Sequence, residues 1–193
     1  MLPEPVGATL MVVRALEALG VPYLIGGSMA SAVYGVPRST LDADIIAALR
    51  LEHVAPLVQG LGAGFYVDID SVREAVVRRA SFNVIHLTTM FKVDVFVSRE
   101  RSFERSEFAR RRRTAFATDP ERIVYVAAPE DVILAKLEWY REGGEVSDRQ
   151  WTDVLGVLKA QEASLDLGYL TRFAEQLQVR ELLEVAFQEA GLA

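Results

Sequence analysis

The chain has 193 residues, 51 % of them hydrophobic, with a formal net charge of −6, no cysteine and two histidines, His53 and His86. That length suits one domain with a sizeable core, or one compact domain plus a small helical appendage. The negative charge argues against a protein that coats nucleic acid through bulk charge. Lack of cysteine excludes disulfides, thiolate zinc sites and a cysteine nucleophile, so any metal is expected on oxygen ligands, which favours Mg²⁺ or Mn²⁺.

The longest apolar runs fall short of the roughly 20 residues that span a bilayer, and Met1-Leu2-Pro3-Glu4 lacks the basic start of a signal peptide. A cytoplasmic protein with no membrane association is therefore expected. Residues Thr9 to Leu19 carry apolar side chains at helical spacing and stop at Gly20, with Pro22 beyond it, which predicts a first helix with a glycine C-cap. Tyr23 to Ile25 reads as a short strand, Ser28 to Tyr34 as a helix of small residues, and Gly35-Val36-Pro37 as a breaker. A strand over Leu41 to Leu49 leads to a helix over Glu52 to Gly60 and a glycine-rich loop.

Phe65 to Ile69 predicts a strand, running into a helix whose Ser71-Val72-Arg73-Glu74 fits a capping box. Phe82 to Leu87 and Phe91 to Val97 alternate around Thr88-Thr89-Met90, the pattern of a hairpin. Arg101 to Arg113 reads as a polar helix, and Arg122 to Ala127 as a last strand. Helices are then predicted over Asp131 to Glu142, Asp148 to Gln161, Leu167 to Leu177 and Arg180 to Ala190. The first of them starts at Pro129-Glu130-Asp131, and Ser147-Asp148-Arg149-Gln150 forms a second capping box. The change of character near Ala128 divides the chain into a mixed α/β part, residues 1–128, and a helical subdomain, residues 129–193.

Three aspartates stand out against this frame. Side chains two apart on a strand share a face, so Asp42 and Asp44 project together. At about 4 Å and an effective dielectric near 20, two carboxylates repel by roughly 4 kcal/mol, unless one is protonated or a divalent cation lies between them. Asp94 interrupts the apolar run Val93 to Val97, where an aspartate is a poor strand residue without a partner. If its strand neighbours that of Asp42, the three acids can share two metals, the arrangement suited to phosphoryl chemistry. Gly26-Gly27-Ser28, with Gly26 and Gly27 permitting close backbone approach and Ser28 adding a hydroxyl, is a candidate phosphate cradle at a helix N-terminus. By itself it is more often a plain strand-to-helix turn. Arg38 lies between cradle and carboxylates and reads as a phosphate ligand or a brace for the loop. Asp68 and Asp70 form a second Asp-x-Asp, which their position assigns to a helix start.

The Gly-Gly-Ser turn, the gap, the Asp-x-Asp pair and the later strand aspartate together resemble the nucleotidyltransferase superfamily with the DNA-polymerase-β-like palm. Within it the chain is most similar to the AbiEii/MenT-like toxins and related small bacterial proteins. The resemblance implies an α+β fold: a mixed palm sheet with flanking helices, then a C-terminal helical subdomain. It implies that Gly27 and Ser28 contact the phosphates of an NTP, that Asp42 and Asp44 ligate both metals, and that Asp94 binds one metal and helps to deprotonate the acceptor. Lys136 would stabilise the triphosphate or the leaving pyrophosphate; otherwise it is a lysine snorkelling from an amphipathic helix. Arg149 and Asp153 match a second family motif, in which Gln150 replaces an aspartate the family often carries.

The resemblance suggests a tRNA or other RNA 3′ end as acceptor, with a cognate antitoxin protein as partner. Between Arg99 and Arg113 stand seven arginines against three glutamates. This stretch, ending in Arg110, Arg111, Arg112 and Arg113, reads either as a solvated, salt-bridged segment or as an RNA site. Two rival readings remain: a palm that binds nucleotide without turnover, and a nucleotidyltransferase acting on a small molecule or a protein.

Overall fold

The computed structural model describes residues 4–35, 37, 39–115 and 122–192, so Arg38 lies outside the described residues. They form two compact units, one of residues up to Gly26 together with Thr40–Val126, the other of Gly27–Ser39 together with the chain from Ala127 onwards.

The first unit is a mixed sheet. Its strands are β1 (Tyr23–Ile25), β2 (Asp42–Ala47), β3 (Phe65–Tyr66), β4 (Ser81–His86), β5 (Lys92–Val97), β6 (Arg112–Ala115) and β7 (Ile123–Val126), in the order β3-β4-β5-β2-β1-β7-β6. β2 runs parallel to β5 and β1 parallel to β7, while the remaining neighbours are antiparallel. Burial alternates along β2 and β5. Ala43, Ile45 and Ala47 with Val93, Val95 and Val97 form the buried side. Helices α1 (Glu4–Ala18), α3 (Leu51–Leu61) and α4 (Ile69–Arg78) pack together, α1 against β2 and β5 and α4 against β4. α1 buries Ala8, Val12 and Leu16, one helical face at spacing four. It ends as its spacing predicts, with Gly20 in the left-handed region at φ 65° and Val21 N–H bonded to the Leu16 carbonyl at 3.0 Å.

Tyr23 adds a polar tie to this core. Its hydroxyl donates to Glu17 Oε1 at 2.7 Å, and its ring meets Tyr125 edge-on at 5.8 Å between centroids. Burial first, and then the Glu17 carboxylate, hold the phenol well above the ordinary tyrosine range. A folded-state pKa above the unfolded one gives stability that is complete below about pH 10 and is lost as the pH rises beyond it. Tyr23→Phe is therefore expected to flatten the alkaline limb of the stability curve, measured by urea unfolding between about pH 9 and 11.5.

Two expectations are corrected. α4 starts three residues earlier than a Ser71 cap requires, because Asp68 is the N-cap and accepts from Ser71 N–H at 2.7 Å. An ionised carboxylate at this position satisfies an orphan N–H and faces the positive helix end; the same bond to Ser71 lowers the pKa of Asp68. The Arg101 to Arg113 segment is not one helix. α5 (Ser102–Arg110) ends, and Arg112–Ala115 forms edge strand β6 on β7.

The second unit is helical: α2 (Gly27–Tyr34), α6 (Pro129–Glu142), α7 (Asp148–Gln161), α8 (Leu167–Gln176) and α9 (Arg180–Ala190). The C-terminal four lie where the sequence predicts them, and Ser147 caps α7 through Gln150 N–H at 3.4 Å. α2 packs on α6 and α7. At its end Gly35 approaches α7 so closely that an added Cβ would lie 3.0 Å from Val157 N and 3.1 Å from the Gly156 carbonyl carbon. Those atoms are backbone and cannot swing aside, so Gly35→Ala is expected to destabilise by about 1–3 kcal/mol in a denaturant titration.

The first turn of α6 is also built in. Glu130 and Asp131 are buried; Asp131 Oδ1 accepts from the Tyr169 hydroxyl at 2.5 Å, and Glu130 Oε1 from Asp166 N–H at 3.0 Å. The two acids thus tie α6 to the start of α8. The rings of Tyr140 and Trp151 meet at 5.2 Å, tilted by 35°, and Trp151 donates to Glu189 at 2.7 Å, which makes them packing residues between helices. Among the described residues, no helix is long and apolar enough to cross a membrane.

Candidate active site

β2 and β5 are parallel neighbours in an in-phase register. Asp44 pairs with Asp94, and Asp42 with Lys92. In-register residues on adjacent strands share a face, so Asp42, Asp44 and Asp94 all project from the side opposite Ala43, Ile45, Val93 and Val95. The three acids thus lie on neighbouring strands and on one face.

Local contacts shape each acid differently. The Thr40 hydroxyl reaches both the Asp42 carbonyl oxygen at 3.0 Å and Asp42 Oδ1 at 3.1 Å, which restrains that carboxylate at the strand entrance. Asp44 is anchored through its backbone: Gly26 N–H donates to its carbonyl oxygen at 2.9 Å. A Cβ on Gly26 would lie 2.8 Å from Ile46 Cδ1, the movable end of that side chain.

Asp94 has a side chain 14 % exposed, and its Oδ2 binds Lys92 Nζ at 2.7 Å. Its buried Oδ1 has no hydrogen-bond partner among the described residues. Such an oxygen is costly unless something polar reaches it. The contact to Asp94 first, and then the fields of Asp42 and Asp44, raise the pKa of the Lys92 ammonium. The local field is thus strongly negative.

An oxygen-only set of carboxylates with one orphaned buried oxygen fits a hard divalent cation. Among the described residues, however, no three carboxylate or imidazole groups converge as a ready-made metal cluster. The Asp94 carboxylate is turned to Lys92 instead. Lys92 is the residue of this face that the sequence reading passed over. Its signal was its spacing, two residues before Asp94 on one strand.

In the helical unit, Gly27 opens α2 at φ 53°, a left-handed conformation that an L side chain adopts at a cost of about 1 kcal/mol. The Ser31 hydroxyl donates to the Gly27 carbonyl at 3.0 Å, and Ser28 follows in the first turn. Lys136 on α6 and Asp153 on α7 form an ion pair at 2.9 Å, their side chains 9 % and 5 % exposed. Lys136 does not snorkel; its ammonium is held inside the helical unit. Arg149 is exposed one turn before Asp153 and is not drawn into that pair.

The basic stretch is divided. Arg101 binds Glu104 at 2.6 Å, Arg105 caps the Glu100 carbonyl, and Arg111 binds the Phe108 carbonyl and lies 4.6 Å from the Tyr125 ring centre. Arg110 ends α5, half-buried, while Arg112 and Arg113 are exposed on β6. Most of the charge here is spent on local structure.

No family model matches the chain, and no curated protein matches its sequence. Solved structures do match its fold. The antibiotic-resistance factor ANT(2'')-Ia superposes with a TM-score of 0.55 at 15 % identity, over 95 % of this chain and 93 % of that one. The chain has the nucleotidyltransferase fold. An antigenic nucleotidyltransferase-like protein from Paracoccidioides brasiliensis gives 0.54 at 16 % identity, over 96 % and 93 % of the two chains. JHP933 from Helicobacter pylori gives 0.51 at 15 % identity, over 98 % and 82 %.

Proposed function

We propose that this protein is a divalent-metal-dependent nucleotidyltransferase that moves a nucleoside monophosphate from an NTP to a hydroxyl acceptor and releases pyrophosphate. The observation that carries the reading is the register of β2 on β5, which sets Asp44 beside Asp94 on the face that also bears Asp42. Those three carboxylates would hold Mg²⁺ or Mn²⁺, and the metal would supply charge neutralisation on the phosphates and a more acidic acceptor hydroxyl. The chain's own contribution is placement. Thr40 restrains Asp42, the Gly26 amide fixes the backbone at Asp44, and Asp94, in register with Asp44, is the carboxylate that would help to deprotonate the acceptor. Gly27 and Ser28 contribute N–H donors and a hydroxyl at a helix N-terminus, a setting that suits phosphate oxygens. The motif resemblance assigns Lys136, which is paired with Asp153, to the nucleotide's phosphates.

For the acceptor we infer an RNA 3′ end, tRNA included, with the protein acting as a toxin restrained by an antitoxin partner. The exposed Arg112 and Arg113 favour the RNA acceptor, while the toxin role and the antitoxin partner rest on the resemblance of the motifs alone. A second reading, transfer to a small-molecule hydroxyl, is favoured by the likeness to ANT(2'')-Ia, whose structure was solved in complex with adenylyl-2''-tobramycin. One experiment addresses both: incubation with each α-labelled NTP, Mg²⁺ and either total tRNA or an aminoglycoside panel. Label in tRNA supports the first acceptor and label in the aminoglycoside the second. Absence of any product and of pyrophosphate release with all acceptors sinks the enzymatic reading.

A further inference from the structure

We propose that Lys92 is a tethered counter-ion of the three-aspartate face that competes with a divalent cation for Asp94, so that the face takes metal efficiently only together with a nucleotide. This rests on the metal-centre reading above. Lys92 stands two residues before Asp94 on β5 and on the same face, in register with Asp42 on β2. Its Nζ lies 2.7 Å from Asp94 Oδ2, while Asp94 Oδ1 stays buried without a hydrogen-bond partner among the described residues. The ammonium therefore neutralises part of the charge that would otherwise keep three carboxylates apart.

A metal that engages Asp94 must displace this ammonium or share the carboxylate with it. Either outcome brings like charges together, which weakens metal binding to the protein alone. Lys92 is 40 % exposed at its side chain and sits on a flexible stem, so it can move off Asp94 if a new anion is offered. Nucleotide phosphates are such an anion. Metal and nucleotide then favour each other's binding, and by linkage the coupling is reciprocal.

The test uses Mn²⁺ binding to the full chain, read by electron paramagnetic resonance and calorimetry, with and without a non-hydrolysable NTP analogue. Lys92→Met is expected to bind Mn²⁺ about tenfold more tightly than the wild type when no nucleotide is present. Its Mn²⁺ affinity should also respond less to the analogue. Lys92→Arg, which keeps the charge, is expected to resemble the wild type, and a thermal melt in EDTA checks that both variants fold. In EDTA Lys92→Met should melt lower than wild type, and Mn²⁺ should restore it. Equal Mn²⁺ affinities for wild type and Lys92→Met overturn the role of Lys92 and leave the metal centre standing. Binding that is absent from both, or insensitive to Asp44→Asn, removes the metal centre and the competition with it.

Discussion

Replacing Asp44 with asparagine is expected to lower nucleotidyl transfer by on the order of 10³-fold while changing stability by no more than about 1 kcal/mol. Asp44 lies directly beside Asp94 on a parallel neighbour, where strands are about 4.8 Å apart. Like charges facing each other across strands destabilise the sheet. Loss of one charge relieves that repulsion, and a thermal melt of the variant separates a drop in activity from unfolding. The comparison that makes the result specific is Asp68→Ala. Asp68 belongs to the chain's other Asp-x-Asp, and it accepts the Ser71 amide at the start of α4. It should melt at a lower temperature and transfer nucleotide at the wild-type rate. Steady-state pyrophosphate release and thermal melts on the two variants give opposite patterns. Asp44→Asn with normal turnover would remove the carboxylate face from the mechanism.

The contrast between these two motifs also shows how much of the site is legible in the sequence. The apolar run Leu41 to Leu49 and the alternating run Phe91 to Val97 read as strands, and because a strand has a period of two, Asp42 and Asp44 share one face. That β2 and β5 are parallel neighbours in phase is a long-range fact. It depends on how the β4–β5 hairpin returns to the sheet, and no local pattern encodes it. The same limit explains the arginine stretch. Arginine is a good helix former, so Arg110 to Arg113 continues the helical pattern of α5. Pairing with β7 decides otherwise, and that strand lies beyond a separate stretch of chain. The partners of α2 were equally hidden, since its small residues Gly27 to Tyr34 say only that a close neighbour is wanted. That neighbour is α7, more than a hundred residues later, and Gly35 is the residue its backbone excludes from change. Lys92 was legible in spacing but looked like an ordinary strand lysine until its contact with Asp94 was known.

The Lys136–Asp153 pair carries the second large effect, and its two readings separate under a double-mutant cycle. Both side chains are nearly inaccessible. Removing either one leaves its partner charged in a poorly solvated place, so Lys136→Met and Asp153→Leu are each expected to cost about 3–5 kcal/mol in denaturant titrations. The double variant removes both charges at once and replaces them with side chains that pack, so it should recover most of that loss. If the pair serves only to join α6 to α7, the recovered protein transfers nucleotide normally. If Lys136 contributes a cation to the nucleotide's phosphates, as proposed, the recovered protein is folded and inactive, and the loss appears in nucleotide affinity as well as in turnover. Stability and function then part company at one buried contact, which a single substitution cannot show because it damages both.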